Sequence, residues 1–204
     1  MRTGVMNRLV AICSRLPRWL KRASADDRGI AAVEFALIMP LMMVMFFGMI
    51  DVSMGVGADR KVTVIAQTMA DLPSRYTSVT DTDFTNFFRI GDAMLTPFAA
   101  SELTVRISQV YIDPTSGSGK VYWSKGDVPW AVNTSISVPA GLIGKDSANK
   151  VLPNQYLILA EVKYVYKPII GYVVPKTGIT LAESTFTRPR QSICVYYSTA
   201  NDCK

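Results

Sequence analysis

The fold is decided by the stretch Gly29-Ile30-Ala31-Ala32-Val33-Glu34-Phe35-Ala36-Leu37-Ile38-Met39-Pro40, which continues through Leu41-Met42-Met43-Val44-Met45-Phe46-Phe47-Gly48-Met49-Ile50. Ile30 to Ile50 is 21 residues with one charge, Glu34. At a helical rise of about 1.5 Å per residue this run covers about 31 Å, enough to cross the hydrocarbon core of a bilayer. A carboxylate at the bilayer centre costs roughly 2.5–3.5 kcal/mol on insertion scales, and less towards the end of a span, where Glu34 sits. Glu34 therefore needs a partner. A cut between Gly29 and Ile30 would supply one, because the new α-amino group on Ile30 would lie one helical turn away, in the same chain or a neighbouring one. An uncleaved single-pass anchor accounts for the length of the run but gives no reason for Glu34.

Charge orients the span. The formal net charge is +6, but residues 1–29 alone hold seven basic side chains against two acids, leaving 15 basic and 14 acidic groups in the rest. A basic leader before an apolar run places the N-terminus in the cytoplasm and the C-terminal part across the membrane, in a periplasm if the cell has one. The near-neutral remainder gives no argument for nucleic acid binding. A cleaved secretory signal is a poor fit despite Ala23-Ser24-Ala25, because Arg15, Pro17 and Arg18 interrupt the apolar stretch from Leu9 to Leu20.

Gly29-Ile30-Ala31-Ala32-Val33-Glu34-Phe35-Ala36-Leu37 followed by Pro40, behind a basic leader, resembles the prepilin cleavage site of type IV pilins. It resembles more closely the TadE/TadG family, pilin-like proteins of the tight-adherence (Tad, or Flp) pilus machinery. Leu159-Ala160-Glu161-Val162, Tyr164-Val165-Tyr166-Lys167-Pro168 and Arg188-Pro189-Arg190-Gln191 carry the resemblance more loosely. The resemblance implies a basic leader over residues 1–29, processed at Arg28-Gly29-Ile30 by a prepilin peptidase, and a subunit-assembly role for Glu34. It implies a transmembrane helix over 30–50, an extension outside the membrane over 51–72 and a periplasmic head over 73–204. Its expected partners are the peptidase, other pilin and pseudopilin subunits, the inner-membrane Tad assembly platform and the membrane itself. No cofactor is implied. The head is large for a bulk Flp pilin and small for a TadG-like protein with an added von Willebrand-type domain, so a TadE-like minor pilin or pseudopilin fits best.

Periodicity fills in the remainder. Val62, Ile65, Ala66, Met69 and Leu72 recur at helical spacing, extending the first helix to Leu72-Pro73-Ser74, with a bend expected at Pro40. A second helix starts near Asp81–Asp83, places Phe84, Phe87, Phe88, Gly91 and Leu95 on one face, and closes at Thr96-Pro97. The period then falls to two. Residues 103–112 and 120–124 read as a hairpin about Asp113–Gly119, residues 125–154 as a long connection with one helical turn near Ala140–Ile143, and residues 157–166, 179–187 and 191–197 as three more strands. The fold class is α+β, a long N-terminal helix followed by a head with an antiparallel sheet. Cys194 and Cys203, separated by eight residues on the exported side, are a disulfide candidate contributing about 2–3 kcal/mol if closed, or two free thiols. Type IV pilins often carry such a C-terminal disulfide loop.

The chain has no histidine, which removes Ser-His-Asp and Cys-His triads and His-ligated metal sites. No paired carboxylates or metal-knuckle cysteine spacing occur, so no catalytic or metal-ligating residue is assigned and the chain is expected to be a substrate and subunit. Arg188 and Arg190 about Pro189 read as a solvated turn, or as a surface that docks another pilus component. Two other readings stand beside this one: a single-pass anchored periplasmic binding domain with no pilus incorporation, and an envelope enzyme with a Ser-Lys pair formed only in space.

Overall fold

The structure, a computed structural model, describes residues 29–168, 177–197 and 203. The leader as far as Arg28, including Cys13 and the Arg28 side of the processing junction, lies outside the described residues. The first helix, α1, runs Ile30–Ser74 without interruption at Pro40, Gly48, Gly55 or Gly57. The chain divides between Met49 and Ile50 into two units. In the first, the residues from Ile30 to Phe46 are all exposed, and this part of α1 is apolar and long enough to cross a membrane.

In the second unit α1 becomes a core helix. Ala58, Val62, Ile65, Ala66, Met69 and Ala70 are buried at helical spacing, which is why residues 51–72 belong with the head. A fully buried side chain the size of Ile65 or Met69 stabilises the fold by about 1.5–3 kcal/mol. Strand β1 (Ser78–Val79) leads into α2 (Asp81–Leu95). A capping box starts α2: Asp83 N–H donates to the Thr80 hydroxyl at 3.3 Å, and Thr80 N–H donates to the Asp83 carboxylate at 2.8 Å. At its other end the Lys61 ammonium donates to the Met94 carbonyl at 2.9 Å, tying α2 to α1. Phe84, Phe87, Gly91 and Leu95 form its buried face, as the spacing indicates.

Strands β2 (Leu103–Ile112), β3 (Gly119–Gly126), β4 (Ser135–Ile136), β5 (Gln155–Tyr166) and β6 (Ile179–Thr187) form one antiparallel sheet in the order β4-β3-β2-β5-β6. Its inner face, with Val105, Ile107, Ile158, Ala160, Val162, Tyr164 and Tyr166, shares a core with α1 and α2. A register shift opposite Gln109 and Val110 makes Tyr122 an extra residue in β3, so both Tyr122 and Trp123 join this core. Gly126, at φ +141°, allows β3 to end hard against β2, where a Cβ would lie 2.1 Å from the Val105 carbonyl oxygen.

One expectation is corrected, and β2 is buried beyond what its alternation implies. Strict alternation would leave Ser108, Val110 and Ile112 facing solvent, yet all three are buried. The connection 127–154 covers that part of the outer face, bringing Ile136 and Val138 against Gly119. The span Gln191–Tyr197 is not a strand of the antiparallel sheet. Only Tyr196–Tyr197 (β7) is extended in a ladder, and it pairs parallel with β1 in a separate two-stranded sheet. The residues before it spend their backbone groups on side chains: Val195 N–H donates to the Gln109 side chain at 2.7 Å, and its carbonyl accepts from the Trp123 indole at 2.9 Å.

Candidate functional site

The N-terminal segment holds the residues that the sequence singles out. Gly29 immediately precedes α1, whose first residue is Ile30, so the helix begins at the candidate cleavage bond. Gly29, Ile30 and Glu34 are all exposed. A Cβ on Gly29 would meet nothing within 4 Å, and its φ does not lie in the left-handed region. Neither packing among the described residues nor backbone conformation demands a glycine there. Ile30 and Glu34 lie four residues apart on one helix, about 6 Å of rise, which puts the Ile30 nitrogen and the Glu34 carboxylate within reach of one another or of a neighbour's groups.

The C-terminal segment is a clasp. Cys194 and Cys203 are joined by a disulfide, and Cys194 is fully buried beside Val195. Arg190 is more than a solvated turn residue: its guanidinium meets Asp71 of α1 at 2.6 Å, and its N–H donates to the Ser74 carbonyl at 2.8 Å. Asp71 also accepts from Arg75 at 2.7 Å. Arg188 donates to the Leu142 carbonyl at 2.9 Å. Sequence reasoning missed Gln109 and Asp71 as anchors of this clasp. A glutamine on the core face of a strand was the available signal for the first.

Several charged groups of the head pair with one another. Arg106 grips Glu161 through two bonds of 2.7 Å and lies 4.1 Å over the Trp130 ring, whose N–H also donates to Glu161 at 2.8 Å. Burial pushes the Glu161 carboxyl up, but the Arg106 and Trp130 hydrogen bonds outweigh it and hold it below the ordinary value. Hydrogen bonds from the Tyr197 hydroxyl and from Lys125 lower Asp81. Burial raises the phenols of Tyr164 and Tyr166. Lys61, Lys120, Lys125 and Lys167 are each bound to a carbonyl or carboxylate oxygen. Among the described residues no three His, Cys, Asp or Glu side chains gather as a metal site.

These features define an α+β head on a helix whose N-terminal part suits a single-pass membrane anchor. Residues 29–71 match the family model of TadE-like proteins. The match begins at Gly29 and runs past Glu34 to Asp71, so the resemblance stated from the Gly29–Pro40 stretch holds over this part of the chain. No curated protein and no solved structure matches the chain.

Proposed function

We propose that the chain is a minor pilin, or pseudopilin, of a Tad pilus system, held in the inner membrane by α1 with its head in the periplasm. A prepilin peptidase removes residues 1–29, and Glu34 then pairs with the new amino group of Ile30 in the same or an adjacent subunit. The observation that carries this reading is the TadE-like match over residues 29–71, coinciding with a helix that starts at Ile30. An exposed glycine that the described surroundings do not require is well explained by recognition from outside, by a peptidase. In a low-dielectric membrane the ion pair sets axial register, and an unprocessed chain, with an uncharged amide at Ile30, cannot form it. The chain is a substrate and a structural subunit in this reading, and the head supplies contacts to other subunits during initiation or at the tip.

Mass spectrometry of the membrane-extracted chain, with and without the prepilin peptidase, tests this. The expected result is an N-terminus at Ile30 that disappears without the peptidase. A full-length chain in both strains would leave a plain membrane-anchored domain.

A further inference from the structure

Beside the first turns of α1 beyond Ile50, the head carries two apolar recesses on either side of Tyr166. The larger, about 500 Å³, is walled by Met54, Phe98, Tyr164 and Tyr166. The smaller, about 280 Å³, lies between Val52, Gly55 and Val56 on α1 and Ile179 and Leu181 on β6. Phe98 packs its ring against Tyr164 and Tyr166, with centroids 6.4 and 6.2 Å apart. Among the residues lining the larger recess the charges are Lys167 and Glu102, which neutralise each other at 2.6 Å and are both partly exposed. The size and lining suit an apolar ligand whose polar end stays at the mouth.

Position along α1 says which ligand. Met54 is four residues past Ile50, the end of the apolar run, or about 6 Å of helix. The Tyr166 hydroxyl donates to the carbonyl of Asp51 at 3.1 Å, fixing the end of β5 at the same level. If α1 crosses the bilayer over 30–50, this level is the boundary between hydrocarbon and headgroups. Val52, Met54, Val56 and Ile179 remain exposed at the same level, between 38% and 51% of their surface.

We propose that the recess under Phe98 takes an acyl chain of a phospholipid from the outer leaflet, with Phe98, Tyr164 and Tyr166 lining the chain inside the recess. Because Lys167 and Glu102 cancel, uptake is insensitive to the charge of the headgroup. This rests on the membrane-spanning reading of α1 and is independent of cleavage at Gly29.

The full chain in nanodiscs of phosphatidylcholine, doped with a phospholipid bearing a diazirine at its acyl terminus, tests it by photolabelling and peptide mapping. Labelling of Phe98, Tyr164 or Tyr166 is expected, alongside labelling of Ile30–Phe46 and none at Gly144, which is bonded to Gln155 at the opposite end of β5. Replacing phosphatidylcholine by phosphatidylglycerol leaves the pattern unchanged. Ala99→Trp and Ser101→Trp, which fill the recess from its lining, lose the head label and keep the helix label. A labelled helix with an unlabelled Phe98–Tyr166 wall overturns the proposal, as does labelling there only by a headgroup-borne probe. Loss of label along Ile30–Phe46 as well overturns the membrane-spanning reading itself.

Discussion

The side-chain carbonyl of Gln109 accepts the backbone N–H of Val195 at 2.7 Å, and both residues are completely buried. This bond, 86 residues across the sequence, fixes where the C-terminal segment crosses the core. It also removes the Val195 N–H from any sheet ladder, since that donor is already committed.

Replacing Gln109 by Leu fills similar space and removes the buried, unpartnered Gln109 Nε2, but strands the Val195 N–H in the core. An unsatisfied buried donor costs about 1–3 kcal/mol, which corresponds to a fall of several degrees in Tm for a domain of this size. Arg190→Ala also unties the clasp, but the Arg190–Asp71 pair is well exposed on the arginine side and Asp71 keeps Arg75. It should cost less than about 1 kcal/mol. Thermal unfolding of the detergent-solubilised chain checks the ranking, and an arginine variant less stable than the glutamine variant would overturn it.

What the sequence made legible follows from strength of pattern. The apolar run from Ile30, the aromatic face of α2 and the alternation in β5 each repeat one period long enough to leave one solution, and each stands where the periodicity indicates. The buried outer side of β2 was not legible. Its cover comes from residues 127–154, whose apolar positions Ile136 and Val138 sit in a connection with no period. The C-terminal clasp was illegible for a related reason: Gln109, Trp123 and Val195 meet through single hydrogen bonds between distant segments, which leave no repeating trace. The candidate site splits likewise. Glu34 declares itself as a charge in an apolar run, whereas the recess under Phe98 exists only once α1, β5 and the turn after α2 are folded together.

The disulfide makes a separable contribution. It ties Cys194, inside the core, to Cys203 near the C-terminus. Cys203→Ser opens this short loop without altering the buried side, and the expected loss is about 2–3 kcal/mol. The variant's Tm should match that of the reduced wild-type chain. A Cys203→Ser chain that still loses stability on reduction would mean that the bond is made elsewhere.

Asp113, in the turn between β2 and β3, accepts from the Lys120 ammonium at 2.9 Å and from Thr115 N–H at 2.9 Å. The Lys120 hydrogen bond, followed by that of Thr115, lowers its pKa from 3.8 to about 2. Because the folded value lies below the unfolded one, the contact favours the folded turn in full above pH 3.8 and ceases to do so as pH falls through about 2. The side chain is partly exposed and sits in a turn, so the effect is local. Carboxyl NMR titration should place the Asp113 midpoint near 2, and Lys120→Ala should move it back towards 3.8. A midpoint unmoved by that substitution would show that the turn backbone alone holds the carboxylate.

Glu34→Gln separates processing from assembly. The substitution removes a charge from the apolar run, so membrane insertion should be no worse, and the Gly29–Ile30 bond lies at the edge of the run, with Ile30 four residues before Glu34. Cleavage should therefore proceed and leave Ile30 as the N-terminus. What the variant loses is the carboxylate that would meet the new amine, whether in its own chain or in a neighbour. An unpaired ammonium in the hydrocarbon region is costly, and an amide cannot neutralise it. The expected outcome is a normally processed chain that accumulates in the membrane and no longer co-isolates with other pilin subunits. Glu34→Asp, which keeps the charge on a shorter stem, should restore part of the association. If Glu34→Gln is processed and co-isolates as the wild type does, the ion pair has no part in assembly, and the head must carry the recognition by itself.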